Sequence, residues 1–351
     1  MSHPESPSRL KLQGIKRRAV SFSAATELVT TSPLQPDQPL PLIIQPQVEG
    51  LNLETWALNQ RQWLEAQLLQ HGGILFRNFS ISSVPAFEQL MQSLYGSLLN
   101  YSYRSTPRST VSGKIYTSTE YPADQWIPLH NEMAYSRSYP LKIAFYCVQP
   151  AVEDGATPIA DSRKIFQKLD PQIKERFIEK QVMYVRNYGG GLDLPWQTVF
   201  QTSDQSEVEA YCRKAGIEWE WRSDDRLRTR QVCQAIATHP VTGDRVWFNQ
   251  AHLFHVSSLA PTVRESLLAV VPPEELPRNA YYGDGTPIED SILNEIREVY
   301  QQEMVIFPWQ QGDILLLDNL LVAHGRTPFV GPRKVVVGMA ESCEARSPDL
   351  N

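Results

Sequence analysis

From Lys114 onward the chain breaks into short apolar, β-branched and aromatic runs separated by glycine and proline, and this pattern narrows the fold more than any other feature. The runs Ile115–Thr119, Leu141–Val148, Val182–Val185, Arg245–Phe248, Val305–Phe307, Ile314–Leu317 and Lys334–Met339 are too short for packed helices. Their residue types suit pleated strands. Helical periodicity sits mainly upstream. Leu53, Trp56, Trp63, Leu64 and Leu68 recur at helical spacing before Gly72-Gly73, and Ser83 precedes a second apolar face of Phe87, Leu90, Met91 and Leu94. Two further helices are expected over 162–181, broken at Asp170-Pro171, and helical candidates lie in the polar stretch 201–235. Helices followed by many short strands indicate an α+β protein on an antiparallel sandwich or barrel; spacing alone does not select a jelly roll among these.

Composition excludes several classes. The 351 residues are 42% hydrophobic and 21% charged, with net charge −6, as in an ordinary globular protein. No basic stripe suggests nucleic acid, and no apolar run reaches the about 18 residues of a membrane span. Residues 1–40 mix Ser, Pro and basic residues, among them Arg9, Lys11, Lys16, Arg17 and Arg18, and read as a surface arm without a secretory signal. Cys147, Cys212, Cys233 and Cys343 form no CxxC pair, so reduced thiols in a cytoplasmic protein are expected.

Among seven histidines, His3, His71 and His239 read as structural or solvated. His130 ends the approach Trp126-Ile127-Pro128-Leu129, and Glu132 follows two residues on. On an extended segment the two project from one face. Alone, His-x-Glu is a weak motif. The second half is Ile314–Asp318, a turn at Asn319, and then His324-Gly325-Arg326, with Arg333 on the last strand. Two imidazoles and a carboxylate make a facial triad that leaves three positions on a ferrous ion for a chelating cosubstrate and dioxygen. A nearby guanidinium suits the far end of a dicarboxylate. The same three ligands could also hold zinc in a hydrolase.

The segments His130–Ser162 and Gly312–Met339 resemble the taurine dioxygenase/clavaminate synthase branch of Fe(II)/2-oxoglutarate oxygenases, most closely enzymes of the syringomycin aspartyl hydroxylase group associated with nonribosomal peptides. The resemblance runs from about Pro41 to the C-terminus, and Lys16-Arg17-Arg18 has parallels there. It implies a double-stranded β-helix (jelly roll) core with flanking helices and a lid or insert. The implied organisation is an arm at 1–40 and one domain at 41–351, with a helical and loop insert at about 162–240. It implies His130, Glu132 and His324 as iron ligands. Thr157, 27 residues after His130, and Arg333, nine after His324, would be the 2-oxoglutarate contacts, with Arg326 as an alternative or partner of Arg333.

In related radical halogenases a small residue replaces the acidic ligand; Glu132 therefore implies hydroxylation, with desaturation or cyclisation open to the same centre. Substrate-side candidates are Arg104, Arg108, Ser118, Asn249 and His252. Thr119 and His255 are weaker, and Gly189-Gly190-Gly191 is a possible lid. The implied substrate is an amino acid, free or on a peptidyl carrier protein, with no nucleic-acid or membrane partner.

Overall fold

The computed structural model describes residues 27–345 apart from 102, 104 and 107. In chain order, β1 (Val29–Gln35) and β2 (Gln38–Pro46) lead to α1 (Leu53–Asn59), α2 (Arg61–His71), β3 (Gly73–Phe76) and α3 (Val84–Tyr95). Then come β4 (Thr110–Ser112), β5 (Ile115–Thr117), β6 (Ile127–His130), β7 (Ser138–Gln149), β8 (Glu153–Asp154) and β9 (Ile159–Asp161). A long excursion follows: α4 (Ser162–Lys168), α5 (Pro171–Lys180), β10 (Val182–Tyr188), α6 (Trp196–Phe200), α7 (Gln205–Ala215), β11 (Glu218–Arg222) and β12 (Arg226–Cys233). It continues through β13 (Ile236–Thr238), β14 (Arg245–Trp247), α8 (Ala251–Phe254), α9 (Pro261–Val270), β15 (Arg278–Tyr282) and α10 (Asp290–Glu303). The chain closes with β16 (Ile314–Asp318), β17 (Val322–Arg326), β18 (Phe329–Val330) and β19 (Lys334–Glu344).

One eight-stranded sheet carries the order β1-β2-β3-β16-β7-β19-β5-β4, antiparallel except for β2 with β3. Its central strands are apolar on both faces, which explains their unbroken runs. Ile143, Phe145 and Cys147 of β7, Leu315 and Leu317 of β16, and Val335, Val337 and Met339 of β19 belong to the core shared with the site. The alternate residues Ala144, Tyr146, Ile314, Leu316 and Val336 pack with α1, α2 and α3. A smaller sheet, β6-β17-β9, supplies the site. The excursion after β9 builds a separate sheet, β11-β12-β10-β15.

Helix punctuation follows the sequence. Ser83 accepts the Ala86 N–H at the start of α3, Asp170 accepts the Gln172 N–H at the start of α5, and Gly72 ends α2 with φ 77. Three expectations need correction. The arm boundary at residue 40 falls inside the β1–β2 pair, with Pro33 on the edge strand and Pro39 and Pro41 on β2; Arg9 to Arg18 lie outside the described residues. The stretch 201–235 holds one long helix, α7, and then two paired strands whose alternating Glu218-Trp219-Glu220-Trp221 was overlooked as merely polar. Val305–Phe307 forms a single bridge, Val305 to Ile159, rather than a strand.

Candidate metal centre

His130 ends β6, and the register of the small sheet sets His324 of β17 directly opposite it. The two rings lie 4.7 Å apart, centroid to centroid, and Phe145 of β7 covers His324 at 5.0 Å. Gly325 makes this approach possible: a Cβ there would fall 2.5 Å from the Ile127 carbonyl oxygen. His130 Nδ1 donates to the Pro128 carbonyl at 2.8 Å, which leaves Nε2 as the free lone pair.

Glu132 reaches the histidines by a route the period-two expectation did not foresee. Strand β6 stops at His130, and the chain turns through Asn131 to Met133, whose φ is 57. The carboxylate is therefore presented by a turn. Its Oε2 stands 3.6 Å from His324 Nε2 and 2.8 Å from Arg108 Nη2. Burial alone would raise the Glu132 pKa, but Arg108 and then His324 outweigh it and hold the carboxyl well below the usual range. The same burial, with the neighbouring His324, lowers His130 to about 4, so its imidazole is neutral at pH 7. Candidate ligand atoms of His130, Glu132 and His324 all lie within 4.8 Å of one another, and among the described residues no other such trio forms. An ion about 2.1 Å from each donor needs them roughly 3 Å apart, so a small closure suffices. Neutral imidazoles and an ionised carboxylate are the protonation states a divalent metal requires. The residues present fit the ion.

Arg333 stands just ahead of β19. Its Nε donates to the Gly155 carbonyl at 2.7 Å, and Nη1 and Nη2 reach the Ser118 and Thr157 hydroxyls at 3.4 and 3.5 Å. Gly155, at φ 68, keeps that contact open, since a Cβ would sit 3.0 Å from Arg333 Cδ. No carboxylate pairs with Arg333 among the described residues. Burial, then repulsion from Arg326, lowers it to about 10, so it remains a cation at neutral pH. Thr157 is buried and also accepts from Trp309 Nε1 at 3.1 Å. Arg326 is engaged elsewhere: it donates to the carbonyls of Tyr121, Pro122 and Gln125 and so ties down the loop before β6.

The substrate-side candidates divide. Arg108 pairs with Glu132, and Ser118 accepts from Arg333. Arg104 lies outside the described residues. Asn249 donates to the Ala235 carbonyl and accepts the Ala251 N–H, while His252 Nε2 donates to the Leu129 carbonyl at 2.9 Å. Both are thereby bound into the backbone framework. Gln250 between them bonds the Asn131 carbonyl at 2.8 Å, so residues 250 and 252 brace the chain on either side of His130. Gln250, Asn319 and Trp309 were missed from the sequence; only the Asp318-Asn319 turn was noticed there. Gly190 lines a separate cavity of about 440 Å³ with Leu192, Arg222 and Val270, and no triad residue borders it.

Over residues 30–339 the chain matches the family described as taurine catabolism dioxygenase TauD, TfdA family. It is 44% identical over 274 residues to the dapdiamide synthesis protein DdaC of Enterobacter agglomerans, covering 78% of this chain and 83% of that protein. A clavaminate synthase-like protein of Arabidopsis thaliana is 29% identical over 327 residues, 87% of this chain and 94% of the relative. Among solved structures, PvcB of Pseudomonas aeruginosa aligns with TM-score 0.54 and 15% identity over 95% of this chain and 96% of its own. AAD-2, solved with Mn(II) and N-oxalylglycine, aligns with TM-score 0.52 and 12% identity over 91% and 99%. At these identities the structural likeness is one of fold.

Proposed function

The chain is a dioxygenase of the taurine catabolism dioxygenase TauD, TfdA family, and on that premise we propose that it is an Fe(II)- and 2-oxoglutarate-dependent hydroxylase of an unactivated C–H bond. The observation that carries this reading is the trio His130, Glu132 and His324, together with Arg333, a half-buried cation with hydroxyl neighbours and no acid partner among the described residues. His130 Nε2, a Glu132 carboxylate oxygen and His324 Nε2 would hold the ion. Ferrous iron, with 2-oxoglutarate as co-reductant, supplies the activation of dioxygen that no side chain provides.

The chain's own residues bind, orient and exclude water. Arg333 would take the far carboxylate of 2-oxoglutarate, with the Thr157 and Ser118 hydroxyls donating beside it. Arg108 keeps Glu132 ionised and oriented. Phe145 and the apolar face of the large sheet close the inner side of the centre to solvent. Two facing sheets with the trio between them support a jelly-roll core, within a single domain that takes in β1 and β2 and carries an insert beginning at residue 162.

For the substrate we favour a small amino acid, free or tethered to a peptidyl carrier protein, in natural-product biosynthesis; the likeness to a dapdiamide synthesis protein supports this class. Four unpaired cysteines support a reducing cytoplasm, and among the described residues no helix is long and apolar enough to cross a membrane. The test is succinate formation by purified protein with Fe(II), 2-oxoglutarate and each of the common amino acids, free and carrier-loaded. Mass spectrometry of the product separates oxygen insertion from desaturation or ring closure. Turnover that is independent of dioxygen and 2-oxoglutarate would sink the reading.

A further inference from the structure

Glu132 and His324 come from distant parts of the chain, and one side chain bridges the gap. Asn319 lies in the turn between β16 and β17, 187 residues from Glu132 in sequence. Its Oδ1 accepts the Glu132 N–H at 2.7 Å, and its Nδ2 donates to the Glu132 carbonyl at 3.0 Å and the Pro140 carbonyl at 2.8 Å. Its own carbonyl accepts Asn131 Nδ2 at 2.7 Å, and its N–H donates to the Leu141 carbonyl at 2.8 Å. Asn131 Nδ2 also reaches the Ser162 hydroxyl at 3.0 Å. Asn131, Ser162 and Asn319 are all fully buried.

The turn so gripped is not self-sustaining. Met133, directly after Glu132, holds a left-handed backbone with φ 57 that a long side chain disfavours. Something must hold it there, and the Asn319 carboxamide brackets the peptide on both sides of Glu132. No other side chain fits this role as well. Serine is too short to reach both groups, aspartate lacks the two donors, and glutamine displaces them by a methylene.

We infer that Asn319 is a positioning residue of the metal centre, setting Glu132 at its distance from His324 by holding the backbone of one ligand from the turn that leads to the other. This rests on the metal-binding reading of the trio. Groups that orient ligands from behind influence affinity nearly as strongly as the ligands themselves.

The test is Mn(II) titration of metal-free full-length protein, followed by calorimetry or by the electron paramagnetic resonance of free Mn(II), with thermal midpoints recorded alongside. Asn319→Ser is expected to weaken Mn(II) binding by on the order of 10- to 100-fold. Leu64→Ala, in the helix-side core far from the site, serves as a destabilised reference and keeps wild-type affinity. Ser162→Ala removes one outer bond of the same network and is expected to weaken binding several-fold, with less risk to folding. Unchanged affinity in folded Asn319→Ser, or in Ser162→Ala should the first variant not fold, overturns the inference. So does an equal loss in Leu64→Ala. Wild-type protein that takes up no Mn(II) overturns the metal reading itself, and that outcome is visible before any variant is made.

Discussion

Arg108 Nη2 lies 2.8 Å from Glu132 Oε2, with both side chains only 4% exposed. The carboxylate assigned to the metal is thus already paired with a buried cation, and the pair is asymmetric in its consequences. Removing the cation strands a buried negative charge, whereas a divalent ion would neutralise it.

Arg108→Met should therefore cost the metal-free protein about 3–5 kcal/mol, the usual penalty for breaking a buried ion pair. Saturating Mn(II) should recover part of that loss. Urea unfolding of wild type and variant, with and without Mn(II), measures both. An identical deficit in the two conditions would argue that Glu132 does not touch the metal.

His324→Ala should abolish stable iron binding and succinate formation together, because two remaining donors do not make a facial site. Iron content after anaerobic reconstitution and succinate release are the measurements. His255→Gln, whose ring faces the Ser257 hydroxyl instead, should retain iron. Wild-type iron content in His324→Ala would remove this residue from the centre.

The two arginines make opposite predictions. Loss of a charged hydrogen-bonding partner costs about 1.5–3 kcal/mol, so Arg333→Gln should raise the KM for 2-oxoglutarate by roughly 10- to 100-fold. Arg326→Lys should leave that KM within a few-fold of wild type and loosen residues 121–125 instead. Steady-state kinetics in 2-oxoglutarate and amide exchange across the loop distinguish them. A larger KM effect at Arg326 would reverse the assignment.

Acidification should destabilise the fold through buried neutral histidines. Burial lowers His252 to about 3, and His255, also by burial, to about 4. Both are below the unfolded value of about 6.5. The unfolded chain therefore takes up protons first, so their contribution is complete above pH 6.5 and shrinks as pH falls toward 4. Each such histidine should remove about 1.4 kcal/mol between pH 7.5 and 5.5. Denaturant midpoints across that range should fall in wild type and less steeply in His252→Gln. Parallel slopes would show that burial does not lower the His252 pKa below its unfolded value.

Much of the fold was legible because the relevant signals are local. The breaks at Gly72 and Asp170-Pro171, the Ser83 cap and the apolar runs of β7, β16 and β19 each arise from the conformational preferences of a few adjacent residues. Strands β1, β11 and β12 were hidden because an edge position in β1 and β11 and charged alternation in β11 and β12 weaken the hydrophobic signal on which strand recognition depends, and β2 because its prolines read as loop punctuation. Val305 was misread as a strand because an apolar run does not specify whether a partner is available to extend a ladder.

The sequence by itself supplied the candidate donor set: two imidazoles, a carboxylate, a threonine hydroxyl and an arginine next to the last strand, chemical types that survive any arrangement of the backbone. Only the tertiary structure decided how they converge. The pairing of β6 with β17 sets His130 against His324, and the turn at Met133 rather than the strand pleat swings Glu132 inward. Arg108 and Asn319 then hold that carboxylate and its peptide, while Arg326 is drawn away to the 121–125 carbonyls. These outcomes depend on hydrogen bonds between residues up to 205 positions apart. Such bonds leave no periodicity within a local window, so they emerge only once the sheets have packed.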